Sequence, residues 1–211
     1  MGKRRFHDVA AVLLLLWCSS CEGLFSGIYD EPVPDTRSEY GFVRTDGNGG
    51  TIYLDSRSYA RWTYLDLKRK TMDTSNILSG ETEPSAWDFA LHRYDVKTHG
   101  GAVYETAYTD LGALGGIPSQ AVFTPDSPSR VITDMSGMME GDIHYDSSDV
   151  NPVLSSWLDV NTSVMPPVYT LSRKVYLLRL SDGSHAALLF SDFTNLAGEK
   201  GFITIQYIYP L

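Results

Sequence analysis

The sequence predicts an all-β fold, a single mostly antiparallel β domain with few short helices. Near the C-terminus, Ile203, Ile205 and Tyr207 alternate with Thr204 and Gln206, which is the period of a strand with one apolar face. No long run keeps apolar residues at helical spacing, and no internal repeat is present. The domain has about 160 residues, which is enough chain for one packed core.

The first 21 residues have the layout of a lipoprotein signal peptide and lipobox. Three basic residues precede the nine apolar residues 9–17, which are too few to cross a hydrocarbon core that needs about 20. Ser20 lies directly before Cys21, which predicts that the Cys21 sulfur is lipidated. Cys18 stands where such a signal usually has leucine, so ordinary cleavage without lipidation is the alternative.

Residues 22–50 are predicted to form a flexible tether between the lipid and the domain. They contain two prolines and a Gly-Asn-Gly-Gly run, and no period of 2 or 3.6 persists among them. Tyr40 and Phe42 are the tether residues expected to dock on the domain. The folded domain itself is predicted to span residues 51–211.

A tight hairpin is predicted at Asp182-Gly183, close to the C-terminus. The apolar stretches 175–180 and 186–190 flank this pair, and glycine accepts a positive φ without a Cβ clash. The two stretches are therefore expected to be adjacent antiparallel strands.

Composition excludes several classes of function. Both cysteines lie within the first 21 residues, so the domain has neither an internal disulfide nor a thiolate metal ligand. Residues 1–20 hold three of the 17 basic and one of the 26 acidic side chains, so the remaining chain has a formal charge of −11. Such a surface repels nucleic acid, and no basic stripe compensates for it. We expect no nucleic-acid partner.

Residues 85–101 form the most specific stretch of the chain. Every second residue from Trp87 to Leu91 is large and apolar, which predicts a strand with one apolar face, and Gly100-Gly101 allows a turn after it. Its polar members are predicted to be structural and to hydrogen-bond one another: Asp88, His92, Arg93 and Asp95.

This stretch resembles the signature of the HmuY family of haem-binding lipoproteins, which has a similar Trp-Asp, His-Arg-Tyr-Asp-Val and Gly-Gly pattern. The likeness continues over about residues 50–211, and residues 105–156 depart from it most strongly. The functional site is expected within that divergent middle. Further matching segments follow in the family's order: 51–55, 59–65, Trp157-Leu158, 169–172 and 201–210.

The resemblance implies a haemophore-like function. The protein would capture haem (iron protoporphyrin IX) from host haem proteins and pass it to a TonB-dependent outer-membrane haem receptor. It would be located at the outer membrane or cell surface, held by a lipid anchor or released from it.

Methionine is the most prominent candidate iron donor in the sequence. Haem iron accepts His, Met, Cys thiolate or Tyr, and the cysteines are excluded by their position. Four of the six methionines fall between residues 135 and 165, and three of these lie in a polar, glycine-bearing stretch where apolar core packing is not an obvious need. The alternative is that these methionines fill gaps in the core and contact no ligand.

The resemblance further implies where the axial ligands lie: ahead of the Trp157-Leu158 segment, and between that segment and Tyr169. The second place contains no histidine, and Met165 is its only candidate iron donor. For the first place Met139 is favoured, followed by Met138, because some family members use methionines. His144 is the reserve donor, and Met135 the remaining candidate.

No enzymatic activity is expected from the sequence. It has no Gly-x-Ser-x-Gly or His-Glu-x-x-His motif, no phosphate-binding glycine loop, and no cysteine nucleophile in the domain. Its 13 tyrosines and four tryptophans leave one alternative function open, which is a lipid-anchored surface module that binds glycan or protein without haem.

Overall fold

The computed structural model describes residues 39–211, which consist of antiparallel β-strands and three single turns of 3₁₀ helix. This confirms the all-β prediction. No helix in this range is long and apolar enough to cross a membrane. The signal peptide, Cys21 and tether residues 22–38 lie outside the described range.

The strands are β1 (Gly41–Asp46), β2 (Gly49–Asp55), β3 (Arg61–Asp66), β4 (Thr71–Asn76), β5 (Phe89–His92), β6 (Asp95–Thr98), β7 (Ala102–Glu105), β8 (Thr124–Pro125), β9 (Ser127–Gly137), β10 (Asp142–Val150), β11 (Leu158–Asn161), β12 (Val168–Leu171), β13 (Val175–Arg179), β14 (His185–Thr194) and β15 (Lys200–Ile208).

These strands form two larger sheets and two separate hairpins. The seven-stranded sheet has the order β1-β2-β15-β14-β13-β7-β8, and the four-stranded sheet has the order β4-β3-β5-β6. Strands β9 and β10 pair only with each other, as do β11 and β12. The two hairpins are therefore extensions of the domain rather than parts of its sheets.

The tether prediction is wrong for its last residues, because β1 and the start of β2 lie within it. Strand β1 pairs with β2 at the edge of the larger sheet. Both aromatic residues dock as expected: Tyr40 stacks on Tyr53 with ring centroids 5.3 Å apart, and Phe42 meets Tyr207 edge-on at 5.5 Å. The folded domain thus begins before residue 51.

The main core lies between the two sheets. Leu65, Phe89 and Leu91 of the four-stranded sheet join Leu188 and Ile205 of the larger sheet in one cluster of buried side chains. Burial of this apolar surface supplies most of the stabilisation of the fold. The predicted hairpin at Asp182-Gly183 is confirmed as the β13–β14 turn, in which Gly183 has φ +85°.

The strand predicted within residues 85–101 is β5, and it is buried on both faces. Phe89 and Leu91 enter the main core, whereas Trp87 and Ala90 belong to a second cluster on the opposite side of the same sheet. Trp87 therefore does not share a face with Phe89, because it precedes the regular strand. The Gly100 turn is confirmed, with φ +68°.

Candidate functional site

The β9–β10 hairpin carries two of the predicted iron ligands at its tip. A 3₁₀ turn, Met138–Glu140, connects the strands between Gly137 and Gly141. A Cβ on Gly137 would lie 2.8 Å from the Asp142 carbonyl oxygen, and Gly141 has φ +80°, so both positions favour glycine. Met138 is 48% exposed and Met139 is 86% exposed. The turn therefore presents thioether side chains to solvent.

Two side chains at the root of this hairpin fix it to the domain. Asp126 directly precedes β9 and Asn151 directly follows β10. The Asn151 Nδ2 donates to Asp126 Oδ1 at 2.9 Å, and Asp126 also accepts bonds from the Thr98 amide and hydroxyl at 2.6 and 2.9 Å. Asn151 is fully buried, and its Oδ1 accepts a bond from the Leu154 amide at 2.9 Å. We call Asp126 and Asn151 the root pair.

The lower part of the hairpin packs on the second core cluster. Val131 of β9 and Val150 of β10 contribute to this cluster together with Trp62, Tyr64 and Trp87. Because the lower part is packed and held by the root pair, while the turn is exposed, the domain positions the methionines without covering them.

A buried lysine, Lys97, lies beneath this hairpin among aromatic side chains. The Lys97 ammonium lies 4.4 Å from the Trp62 ring centroid and 5.2 Å from that of Tyr64, and it forms an ion pair with Glu83. Aromatic faces attract such a cation, which offsets the cost of its burial. Burial raises the pKa of the Tyr64 phenol to about 12, so it stays protonated, and its oxygen accepts a bond from the Ser75 hydroxyl.

The β11–β12 hairpin carries the third predicted ligand. Residues 162–167 connect its strands, and Met165 within them is 85% exposed. At the root of the hairpin, the Trp157 indole N–H donates to the Tyr94 carbonyl at 2.9 Å, and the Ser172 amide donates to the Trp157 carbonyl at 2.8 Å. Met165 is thus exposed on a loop, as Met139 is, and hydrogen bonds hold the base of its hairpin to the domain.

The structure brings Met138 and Met139 together on one turn and places Met165 on a separate hairpin. The remaining candidates lie further down β9–β10. Met135 is half-buried on β9, and His144 is exposed on β10 with its Nε2 3.5 Å from Asp142 Oδ2. No group of three or more His, Cys, Asp or Glu residues that could hold a metal occurs between residues 39 and 211.

Exposed apolar side chains are concentrated on these two hairpins. Of the 13 large hydrophobic residues exposed in the described range, six lie on them. Single exposed apolar side chains are common on protein surfaces, so these residues are candidate ligand contacts only because they share the two hairpins with the predicted iron donors. The six are Met138, Met139, Tyr145, Val164, Met165 and Val168.

Of the four polar residues of the 85–101 stretch that were predicted to bond one another, Asp88, His92 and Arg93 instead bond to backbone groups of other segments. Asp88 accepts a bond from the Leu67 amide at 2.7 Å, His92 Nε2 donates to the Tyr59 carbonyl at 2.6 Å, and Arg93 donates to a carbonyl of residue 57 at 2.8 Å. His92 Nδ1 lies 3.8 Å from Asp95 Oδ2, which is too far for a hydrogen bond.

Sequence reasoning did not find the root pair or the lysine beneath the hairpin. Asp126 and Asn151 are 25 residues apart, and neither lies in a recognisable local motif. The one feature of the sequence that could have indicated the root pair was its position, immediately outside the two strands of a polar hairpin.

The chain matches the model of the HmuY protein family over residues 58–207. Among curated proteins, none matches it. A candidate HmuY-like haem-binding protein from Bacteroides vulgatus is 45% identical, with a TM-score of 0.78 over 82% of this chain and 99% of that one. A candidate lipoprotein from Bacteroides fragilis is 43% identical, with a TM-score of 0.79 over 84% and 99%. The apo form of a HmuY analog from Tannerella forsythia is 25% identical, with a TM-score of 0.66 over 78% and 97%.

Proposed function

Because the chain belongs to the HmuY family, we propose that it captures haem from host haem proteins and passes it to a TonB-dependent outer-membrane receptor. The observation that carries the proposal is the exposure of thioether side chains on two separate hairpins. Methionines that only filled gaps in the core would be buried, whereas Met139 and Met165 are mostly exposed.

The residues present fit a porphyrin iron in their donor chemistry. Haem would supply an iron to which thioether or imidazole side chains can bind. Met139 and Met165 would provide these donors, with Met138 as the neighbour of Met139 and His144 as the reserve. The exposed Val164 and Val168 beside Met165 would remove apolar porphyrin surface from water. The protein would hold haem and convert nothing.

The proposal predicts a preference for one oxidation state of iron. Thioether sulfur is a neutral, soft donor, so it favours ferrous over ferric iron more than imidazole does. We expect the mature protein to bind haem more tightly in dithionite than in air.

Leucine variants test the ligands, because leucine keeps the approximate volume of methionine but has no sulfur. Met165→Leu and Met139→Leu should weaken the reduced haem complex in an absorbance titration, and Met138→Leu should change it less. Met72→Leu, on strand β4 outside both hairpins, is the matched control. If Met165→Leu and the Met138→Leu/Met139→Leu double variant keep the wild-type spectrum and affinity, methionine ligation is wrong and His144 becomes the candidate.

We also propose that the protein is anchored at the outer membrane or cell surface through a lipid on Cys21. The layout of the first 21 residues supports this, and a similar protein from Bacteroides fragilis is a candidate lipoprotein. Several acyl chains hold a protein far better than the marginal binding of one chain. Cys21→Ser should move the protein from the membrane fraction to the soluble fraction, and equal partitioning of variant and wild type would contradict the anchor.

A further inference from the structure

A groove of about 490 Å³ runs along the β11–β12 hairpin, between it and the β14–β15 region. Tyr169 and Phe193 stack within it, with ring centroids 5.3 Å apart. Leu158, Val168 and Leu171 add aliphatic surface. Ligand pockets in proteins usually have volumes of about 300–1,000 Å³ and mainly apolar walls, so this groove has the size and character of a binding site.

Two cations line this groove in a chain whose net charge is −9. The Lys200 ammonium lies 4.2 Å from the Tyr169 ring centroid, and Arg173 is also part of the lining. Within residues 39–211, neither cation has a carboxylate within 4.0 Å. The lining also contains Asp192, whose Oδ1 accepts bonds from two backbone amides and the Thr194 hydroxyl. Arg173 and Lys200 are therefore available to an anionic ligand.

We propose that this groove binds the carboxylate-bearing edge of the porphyrin, with Lys200 and Arg173 pairing with its carboxylates. The proposal rests on the proposed haem function and specifies a second part of that site. Val168 of the groove follows Met165 by three residues, so their Cα atoms are at most about 11 Å apart. The groove therefore begins within three residues of Met165, as the proposal requires of one ligand that contacts both.

Iron-free protoporphyrin IX tests the groove independently of methionine ligation, because it has the carboxylates and no metal. Its fluorescence is titrated with the mature wild-type protein, the Lys200→Gln/Arg173→Gln double variant, and a Lys68→Gln/Arg44→Gln double variant. The Lys68→Gln/Arg44→Gln variant removes two positive charges, as the groove variant does, but from exposed residues outside the groove. The dimethyl ester of protoporphyrin IX is the matched ligand without negative charge.

We expect the groove variant to lose about tenfold or more in affinity for protoporphyrin IX, since charge-assisted pairs are the strong ones. Its affinity for the dimethyl ester should stay at the wild-type value, and the Lys68/Arg44 variant should bind both ligands like the wild type. Thermal unfolding of each variant checks that the fold is intact.

Three results would overturn the proposal. They are a wild-type protein that does not bind iron-free protoporphyrin IX, a groove variant that binds it normally, and an equal loss of affinity for acid and ester. Met165→Leu should bind the iron-free ligand normally, so failure of methionine ligation and failure of the groove are distinguishable.

Discussion

Replacing Asn151 by alanine should destabilise the protein strongly, because this side chain connects the β9–β10 hairpin to the rest of the domain. Asn151 donates hydrogen bonds to the Thr124 carbonyl and Asp126 Oδ1, both at 2.9 Å, and accepts one from the Leu154 amide. A bond to a charged group contributes about 1.5–3 kcal/mol, and a neutral bond about 1 kcal/mol. The buried Leu154 amide, left without an acceptor, costs about 1–3 kcal/mol.

These contributions overlap, since all three bonds belong to one network, so we expect a loss of about 4 kcal/mol in the free energy of unfolding. For a domain of this size, each kcal/mol lost from the free energy of unfolding lowers the midpoint temperature of thermal unfolding by about 2–4 °C. The midpoint of Asn151→Ala should therefore fall by about 8–16 °C.

Thermal unfolding followed by circular dichroism measures this change directly. Asn161→Ala is the matched control, because Asn161 is exposed and its Oδ1 accepts bonds only from the nearby Ser163. We expect the control to lose less than about 1 kcal/mol. If the midpoints of Asn151→Ala and Asn161→Ala fall equally, the root pair does not hold the hairpin as described.

Two further substitutions test the 85–101 stretch. Gly101→Ala would place a Cβ 2.7 Å from the Arg179 carbonyl oxygen, so urea unfolding should show a loss of about 1–3 kcal/mol, whereas Gly115→Ala, with open space around it, should show little change. Burial raises the pKa of the Asp88 carboxyl. The folded state therefore holds this proton more tightly than the unfolded state, and the contribution of Asp88 to stability rises as the pH falls from 7 towards 4. Asp88→Asn lacks this gain, so between about pH 7 and pH 4 its free energy of unfolding should fall by more than that of the wild type. A smaller fall in the variant would contradict the raised pKa of Asp88.

The strands and tight turns were predictable because their signals are local. Alternation at Ile203, Ile205 and Tyr207 identifies a strand without knowledge of its neighbours, and Gly183 identifies a turn through its positive φ. Strand β1 was missed because it is an edge strand whose last three residues are exposed, so it has no clear apolar alternation. Its position depends on pairing with β2 and on the docking of Phe42 against Tyr207.

The candidate site was predictable only in part. The sequence predicts Met138, Met139 and Met165 as candidate iron donors, and the structure adds that all three are exposed on hairpins. The hydrogen bonds that hold these hairpins join residues far apart in the chain. Asp126 and Asn151 are 25 residues apart, and Trp157 bonds to a carbonyl 63 residues away. No local pattern encodes such pairs, because the topology of the sheets brings them together.

Haem binding is the central claim, and a titration of the mature protein with haemin in air and in dithionite tests it most directly. The proposed function predicts a saturable complex of one haem per chain with a sharp Soret band, and a higher affinity in dithionite than in air. A protein that gives no Soret band under either condition would contradict haem capture and favour a surface module that binds glycan or protein. A complex that is tighter in air would contradict ligation by thioethers.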